Sequence, residues 1–203
     1  MPEFYHRLIT EKSFKILQSL LKKKFKFILI GGWAVFLYAK TLKSKDIDIV
    51  VDYDQLEEFR KKYDVFKNER LKKYEIKTGE VDIDIYLPYF SELGLKVEEI
   101  QKYCQSREGF AVPIPEILLI LKIYTYQQRK STNKGRKDLI DIFSLLRNGG
   151  IDWAKYKELI EKYGFKNLAA ELKNLVCKQK AIPELNLFNH QIAKLKKETL
   201  EKI

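Results

Sequence analysis

From Glu11 to Lys24 the apolar residues Phe14, Leu17, Leu20 and Leu21 recur at helical spacing, which predicts an amphipathic first helix. The apolar run Phe25–Ile30 reads as a strand, and Gly31-Gly32 opens a helix reaching about Lys40. Asp46–Asp52, rich in Ile and Val and bounded by charge, is the next predicted strand. Asp54 is placed to cap a helix over Gln55–Tyr63. Tyr74–Lys77 and Glu80–Tyr86, joined through Thr78-Gly79, form a predicted hairpin. Ser91 to about Gln105 is helical in character, and Gly109–Ile114 reads as a short strand. Pro115 suits the first position of a helix running to about Lys130.

The polar segment Ser131–Arg136 is a predicted loop, followed by a helix from Lys137 to Arg147 that stops at Asn148-Gly149-Gly150. Beyond that stop the pattern is wholly helical, over Asp152–Tyr163, Lys166–Lys178 and Pro183 to the last residue. Strands are thus confined to residues 25–114, with no repeats or low-complexity stretches. The expected fold class is α/β (α+β), a mixed sheet flanked by helices and followed by a helical C-terminal part. The corresponding division is residues 1–150 as one domain and 151–203 as a helical extension.

Composition narrows the class. The 203 residues are 45% hydrophobic and 33% charged, as in soluble globular proteins. The longest nearly apolar stretch, Phe27 to Ala39, is shorter than the ~20 residues of a membrane span. Met1–His6 does not resemble a secretion signal. Cys104 and Cys177 are too few for a disulfide framework, so a reduced, cytoplasmic setting without membrane contact is expected. Lys and Arg total 39 against 28 acids, a formal charge of +11. That surplus favours polyanions such as RNA, DNA or nucleotides, although a lysine-coated surface also serves solubility alone.

Candidate chemistry gathers around the glycine pair. In a strand, residues i and i+2 share a face, so Asp46 and Asp48 stand side by side, as do Asp82 and Asp84. Close like charges need something positive between them, commonly a divalent metal. Gly31 and Gly32 leave bare amides at a helix start, where phosphate is favourably held. Asp46 and Asp48 are the candidate metal ligands, and Asp82 or Asp84 completes the cage and helps deprotonate an attacking hydroxyl. Ser44 is a nearby hydrogen-bond donor. The expected site holds a nucleoside triphosphate (NTP) as substrate with two Mg²⁺ or Mn²⁺ ions.

The order of these pieces resembles the signature of polymerase-beta-type nucleotidyltransferases. A hydrophobic residue and Gly-Gly are followed, after residues 33 to 45, by Asp-Ile-Asp-Ile, with a third acid on a later strand. The fuller similarity is to a small prokaryotic branch that includes toxins of abortive-infection, phage-defence systems. Lys43-Ser44-Lys45-Asp46-Ile47-Asp48, Leu121-Lys122 and Lys137-Asp138-Leu139-Ile140-Asp141-Ile142 carry it, over roughly residues 25–147. The resemblance implies a nucleotidyltransferase-like fold and transfer of a nucleoside monophosphate from an NTP to an acceptor hydroxyl. It makes RNA, first a tRNA end, or a protein hydroxyl the acceptor, and gives Lys122 and Lys137 triphosphate contacts. Asp84 is preferred over Asp82 as third acid because Ile83-Asp84-Ile85 has the hydrophobic-acid-hydrophobic form.

Plainer readings compete at each position. The Asp pairs also suit half-exposed strands, and Asp82 and Asp84 suit a charged edge strand. Lys122, with Thr125 and Arg129, also suits a solvated helix face. Lys137, Asp138 and Asp141 also suit a local ion pair. His6 and His190 lie far from the motif, and the tail Lys194–Glu198 reads as a solvated helix face. At the level of function, a non-catalytic nucleotide- or nucleic-acid-binding module, or a subunit of a two-component toxin–antitoxin-like system, is the alternative to an enzyme.

Overall fold

A computed structural model describes residues 6–203, so the start Met1–Tyr5, and with it most of the predicted signal-free N-terminus, lies outside the described residues. Nine α-helices and seven strands are formed among the described residues. The strands make one mixed sheet in the order β3-β4-β5-β2-β1-β7-β6. In chain order they are β1 Ile28–Ile30, β2 Ile47–Val50, β3 Phe66–Asn68, β4 Lys73–Lys77, β5 Asp82–Tyr86, β6 Cys104–Arg107 and β7 Phe110–Pro113. The helices are α1 Arg7–Lys22, α2 Gly31–Ala39, α3 Tyr53–Arg60, α4 Val97–Gln101, α5 Pro115–Arg129, α6 Asn133–Asn148, α7 Trp153–Lys162, α8 Lys166–Lys178 and α9 Asn189–Leu200. The expected mixed sheet flanked by helices is therefore present.

Strand alternation sorts the sheet centre into two chemistries. Ile47 and Ile49 of β2, Ile83 and Ile85 of β5, and Tyr74 and Ile76 of β4 are buried in the core. The intervening residues Asp48, Asp84 and Glu75 are only partly buried on the opposite face. β2 and β5 run parallel with Asp48 beside Asp84, and β5 and β4 run antiparallel with Asp84 beside Glu75. Asp48 in turn lies opposite Ile30, the last residue of β1 before the glycine pair. A single cross-strand row thus leads from Glu75 through both aspartates to the start of α2. β5 is an interior strand, so the edge-strand reading of its acids is set aside.

Helix α2 is almost wholly buried and has scarcely any polar side, as expected of a helix enclosed by others. It is pinned to α1 by Trp33, fully buried, whose indole Nε1 donates to Ser13 Oγ at 2.8 Å. α5 opens with Pro115 at its first position and is buried along the whole stretch Pro115–Ile123. The buried residues of α7, α8 and α9 join the same core cluster as the sheet. No helix among the described residues is long and apolar enough to cross a membrane.

The differences from the sequence expectation have local causes. The predicted helix over Ser91–Gln105 shrinks to α4, because Gly94 at φ +86° is pressed under the Tyr124 ring and interrupts it. Cys104–Arg107 instead forms edge strand β6, turned back onto β7 by Glu108 and Gly109, both at positive φ as a tight hairpin requires. The predicted loop Ser131–Arg136 is shorter, since Thr132 caps α6 by accepting from the Gly135 amide at 3.0 Å. A Cβ at Gly135 would collide with the Arg129 carbonyl, and only glycine permits so close a helix-to-helix turn. Asp52, not Asp54, precedes α3, and its side chain makes no capping bond. The segment from Pro183 holds a short 3-10 turn and an Ile182–Leu187 bridge before α9, in place of one continuous helix. Strand β3, largely exposed, carried no hydrophobic alternation to predict it.

Replacing Ser13 by Ala removes the acceptor of a buried indole N–H. Denaturant unfolding is expected to show a loss of about 1–3 kcal/mol relative to wild type. An unchanged midpoint would mean that the bond does not hold α1 to α2.

Candidate active site

Gly31 begins α2 directly after β1, at φ +65°, where a side chain is strained. A Cβ there would overlap the Asp48 carboxylate, so the glycine is required both by backbone angle and by the approach of Asp48. At Gly32 an added Cβ would lie 2.8 Å from Ser44 Oγ, which places the buried Ser44 hydroxyl directly against the helix start. The first amides of α2 have no side-chain cap, and their positive end faces the carboxylates. Gly31 is therefore brought against Asp48, and Gly32 against Ser44.

The two candidate third acids separate. Asp82 Oδ2 receives Lys77 Nζ at 2.9 Å, and the Asp82 backbone amide approaches Asp46 Oδ1 at 3.5 Å. Asp84 instead sits beside Asp48 in the parallel pairing. Its Oδ2 is bound by Lys73 Nζ at 2.5 Å, while its Oδ1 is buried with no hydrogen-bond partner. Tyr86, two residues on, donates its hydroxyl to Asp48 Oδ1 at 3.4 Å. Asp46 stands at the entry to β2, near enough to add its charge to that felt by Asp48. The β2–β5 register thus puts Asp84, and not Asp82, directly beside Asp48.

Electrostatics bear the marks of crowded negative charge. Burial, and then the Asp48 carboxylate, push the Asp84 carboxyl up to about 6 despite Lys73. Burial also raises Asp48, with Lys122 opposing and Asp46 adding to the rise. Tyr86 is held well above the ordinary phenol value, first by burial and then by Asp48. Lys73, though buried, is held charged because its bonds to Asp84 and Glu75 outweigh desolvation.

Behind Asp48 lies a cluster between α5 and α6. Lys122 Nζ donates to Asp138 Oδ1 at 3.2 Å and forms an ion pair with Asp141 Oδ2 at 2.8 Å. Arg129 grips Asp138 with two bonds, Nε to Oδ2 at 2.7 Å and Nη2 to Oδ1 at 3.0 Å. Lys137 pairs with Asp141. Lys122, Lys137, Asp138 and Asp141 are all buried, so the reading of Lys122 as part of a solvated face is corrected. Burial works against the Lys122 charge, but Asp141, Asp138 and Asp48 outweigh it and raise its pKa. Lys137 is lowered by burial and by Lys122. Both ammonium groups are thus engaged by carboxylates in this structure, and Lys122 is the one that also feels Asp48.

Whether these residues suit a divalent ion can be judged from the donors. Among the described residues no three His, Cys, Asp or Glu side chains form a closed ligand set. Mg²⁺, however, is commonly bound by one or two carboxylates together with substrate phosphates, and it retains waters. Asp48, with the unpartnered Asp84 Oδ1 beside it and Asp46 at the strand entry, meets that description. His6 and His190 take no part.

Lys73 and Tyr86 are the site residues that the sequence reading missed. The alternation Lys73-Tyr74-Glu75-Ile76-Lys77, combined with the hairpin register, was the signal that could have placed Lys73 on the aspartate face.

No family model matches the chain, and no curated protein matches it. Solved structures do. A Helicobacter pylori protein crystallised as a candidate nucleotidyltransferase matches with a TM-score of 0.53 at 15% identity, over 97% of this chain and 92% of that one. ANT(2″)-Ia, in complex with adenylyl-2″-tobramycin, matches with a TM-score of 0.52 at 15% identity, over 81% of this chain and 97% of that one. JHP933 from Helicobacter pylori gives 0.50 at 15% identity, over 95% and 88%.

Two outcomes test this geometry. Gly109 is at φ +83° with nothing within 4 Å of an added Cβ, so Gly109→Ala is expected to cost only about 1–2 kcal/mol of backbone strain. Gly31→Ala, which adds overlap with Asp48, is expected to destabilise clearly more in denaturant melts; equal costs would sink the close approach. The second concerns pH in metal-free buffer. A carboxyl raised to about 6 on folding stabilises the native state below its ordinary pKa, and that contribution is lost as pH rises through about 6. The stability of wild type relative to Asp84→Asn should therefore fall by about 2 kcal/mol between pH 4 and pH 7; a flat difference would refute the raised carboxyl.

With the glycine helix start, the paired strand aspartates and these structural matches, the chain has the nucleotidyltransferase fold.

Proposed function

We propose that the protein is a metal-dependent nucleotidyltransferase, which moves a nucleoside monophosphate from an NTP to an acceptor hydroxyl and releases pyrophosphate. The observation that carries this reading is the side-by-side placement of Asp48 and Asp84 at the start of α2, with Asp84 Oδ1 buried and unpartnered. Asp46, Asp48 and Asp84 are the residues to hold a divalent ion. Such an ion supplies positive charge for the triphosphate and the departing pyrophosphate.

The remaining work falls to the chain itself. The Gly31 and Gly32 amides, bare at the helix start, bind phosphate oxygens that are not transferred, and Ser44 lies beside them. The acceptor oxygen attacks the α-phosphorus as the bond to the bridging oxygen breaks. Its proton passes to Asp84 Oδ2, which exchanges the Lys73 bond for it while Oδ1 faces the ion. Lys122, charged and anchored by Asp138 and Asp141, offsets negative charge behind Asp48.

A crystal structure of ANT(2″)-Ia holds adenylyl-2″-tobramycin, so one protein of this fold binds an adenylylated small molecule. For this chain the formal charge of +11 favours a polyanionic acceptor, and an RNA end is the first to test. The assay incubates the protein with each α-labelled NTP, Mg²⁺ and either total RNA or RNA-depleted lysate. Label is expected on RNA, and Asp48→Asn and Asp84→Asn are each expected to lower transfer by at least a hundredfold while the fold is retained. Transfer that persists in both variants would discard the site. Nucleotide binding that needs no Mg²⁺ and releases no pyrophosphate would favour a non-catalytic binding module instead.

A further inference from the structure

We propose that the Phe66 ring is the surface on which the unpaired terminal base of an RNA acceptor stacks. The proposal rests on the nucleotidyl-transfer reading of the site and adds to it where the acceptor sits. Phe66 belongs to the same cross-strand row as the reacting carboxylates. It is the register partner of Glu75, Glu75 is that of Asp84, and Asp84 that of Asp48, so the four side chains share one face of the sheet. Ile30 ends that row, immediately before the Gly31 and Gly32 amides. The triphosphate cradle is thus at one end of the row, and Phe66 marks the other. Phe66 lies two strand spacings from Asp84, about 9–10 Å. The sugar and base of one nucleotide bridge such a distance when its hydroxyl meets the Asp84 carboxylate.

The direction of approach agrees. Asp84 Oδ2, the oxygen that takes the acceptor proton, is turned to Lys73 of β4, so the hydroxyl arrives over β4 and its base lies farther out, toward β3. On that path Glu75 presents no bare charge. It is met by Lys73 Nζ at 2.9 Å, Lys77 Nζ at 3.5 Å and Asn68 Nδ2 at 3.2 Å. Asn68 also accepts from the Leu71 amide at 3.0 Å, which ties the β3–β4 turn to the strand that carries Phe66. Phe66 itself is 58% exposed and belongs neither to the core nor to the side chains packed against it. The other exposed large hydrophobic residues among the described residues lie on helices, turns or loops. Edge strands ordinarily carry charge that discourages pairing with other chains. An outward phenyl here runs against that rule, and stacking gives it a use. A base of any identity offers its π-face to such a ring, and unstacked RNA ends are recognised in this way. The formal charge of +11 favours the polyanion that brings the base.

The test separates stacking from a structural role. Phe66→Ala is expected to raise the KM for a single-stranded oligoribonucleotide acceptor by about five- to a hundredfold, with kcat and the KM for NTP kept. An acceptor whose terminal residue is abasic should lose as much with wild type, and little more with Phe66→Ala. Phe66→Trp should keep the wild-type KM. Its emission should be quenched by the intact oligonucleotide and not by the abasic one, with wild type as the control for Trp33 and Trp153. An unchanged KM in Phe66→Ala, or an abasic penalty equal in both proteins, would overturn the inference and leave nucleotidyl transfer standing. Label found only on a small sugar or on protein would do the same. If wild type transfers no label at all, the transferase reading fails by itself. The quench needs no turnover and then decides alone: base-dependent quenching supports Phe66 as the platform, and its absence overturns it.

Discussion

Two carboxylates held next to each other on parallel strands repel, and burial strengthens the repulsion by removing the water that screens it. The neighbourhood of Asp48 and Asp84 is organised around that constraint. Lys73 meets Asp84 from the neighbouring strand β4, Lys122 lies behind Asp48, and the start of α2 abuts Asp48. Even so, burial raises both carboxyls, with Asp46 adding to the rise at Asp48 and Asp48 to the rise at Asp84, so the nearby cations compensate only in part. What is left over is an affinity for further positive charge, and the open Oδ1 of Asp84 is where it is expressed.

The α5–α6 cluster has a different role. Lys122, Arg129 and Lys137 supply three cations to Asp138 and Asp141, so the cluster carries a net positive charge inside the protein. Buried pairs of this kind seldom add much stability over an apolar core, but removing one partner strands the other at a cost of about 3–5 kcal/mol. The cluster therefore fixes how α5 and α6 sit against each other and holds one surplus charge toward Asp48. Positioning and electrostatics are here properties of the same side chains. A reading from sequence that assigned Lys122 and Lys137 to triphosphate contacts saw the charge but not its anchors.

Much of this arrangement was legible in the chain. The Gly31-Gly32 break after an apolar strand, and the alternation in Asp46–Asp52 and Glu80–Tyr86, report backbone periodicity that short segments impose on themselves. The sequence also placed Asp82 and Asp84 on one face, and they are. It could not choose between them, because that choice depends on the register between β2 and β5, two strands that are far apart in the chain. Lys73 escaped notice for the same reason. Its neighbours in sequence say only that it is a charged residue on a strand, and its partner is set by the turn at Thr78-Gly79. The first two residues of β6 were read as the end of a helix because its pairing relies on an ordinary Glu-Gly step taking a left-handed turn.

The turn at Thr78–Val81 has one more implication. Thr78 N donates to Val81 O at 3.1 Å, and this tight closure sets which residues of β4 and β5 look the same way. Losing or gaining a single residue there would rotate the parity of β5, sending Ile83 and Ile85 to the aspartate face and Asp82 and Asp84 into the oily interior. Length changes at this point are therefore forbidden even though the loop is exposed at its tip, where Gly79 has open space around it. Related chains should vary freely in composition at that tip while keeping its residue count constant, a spacing rule that could recognise them where identity has faded.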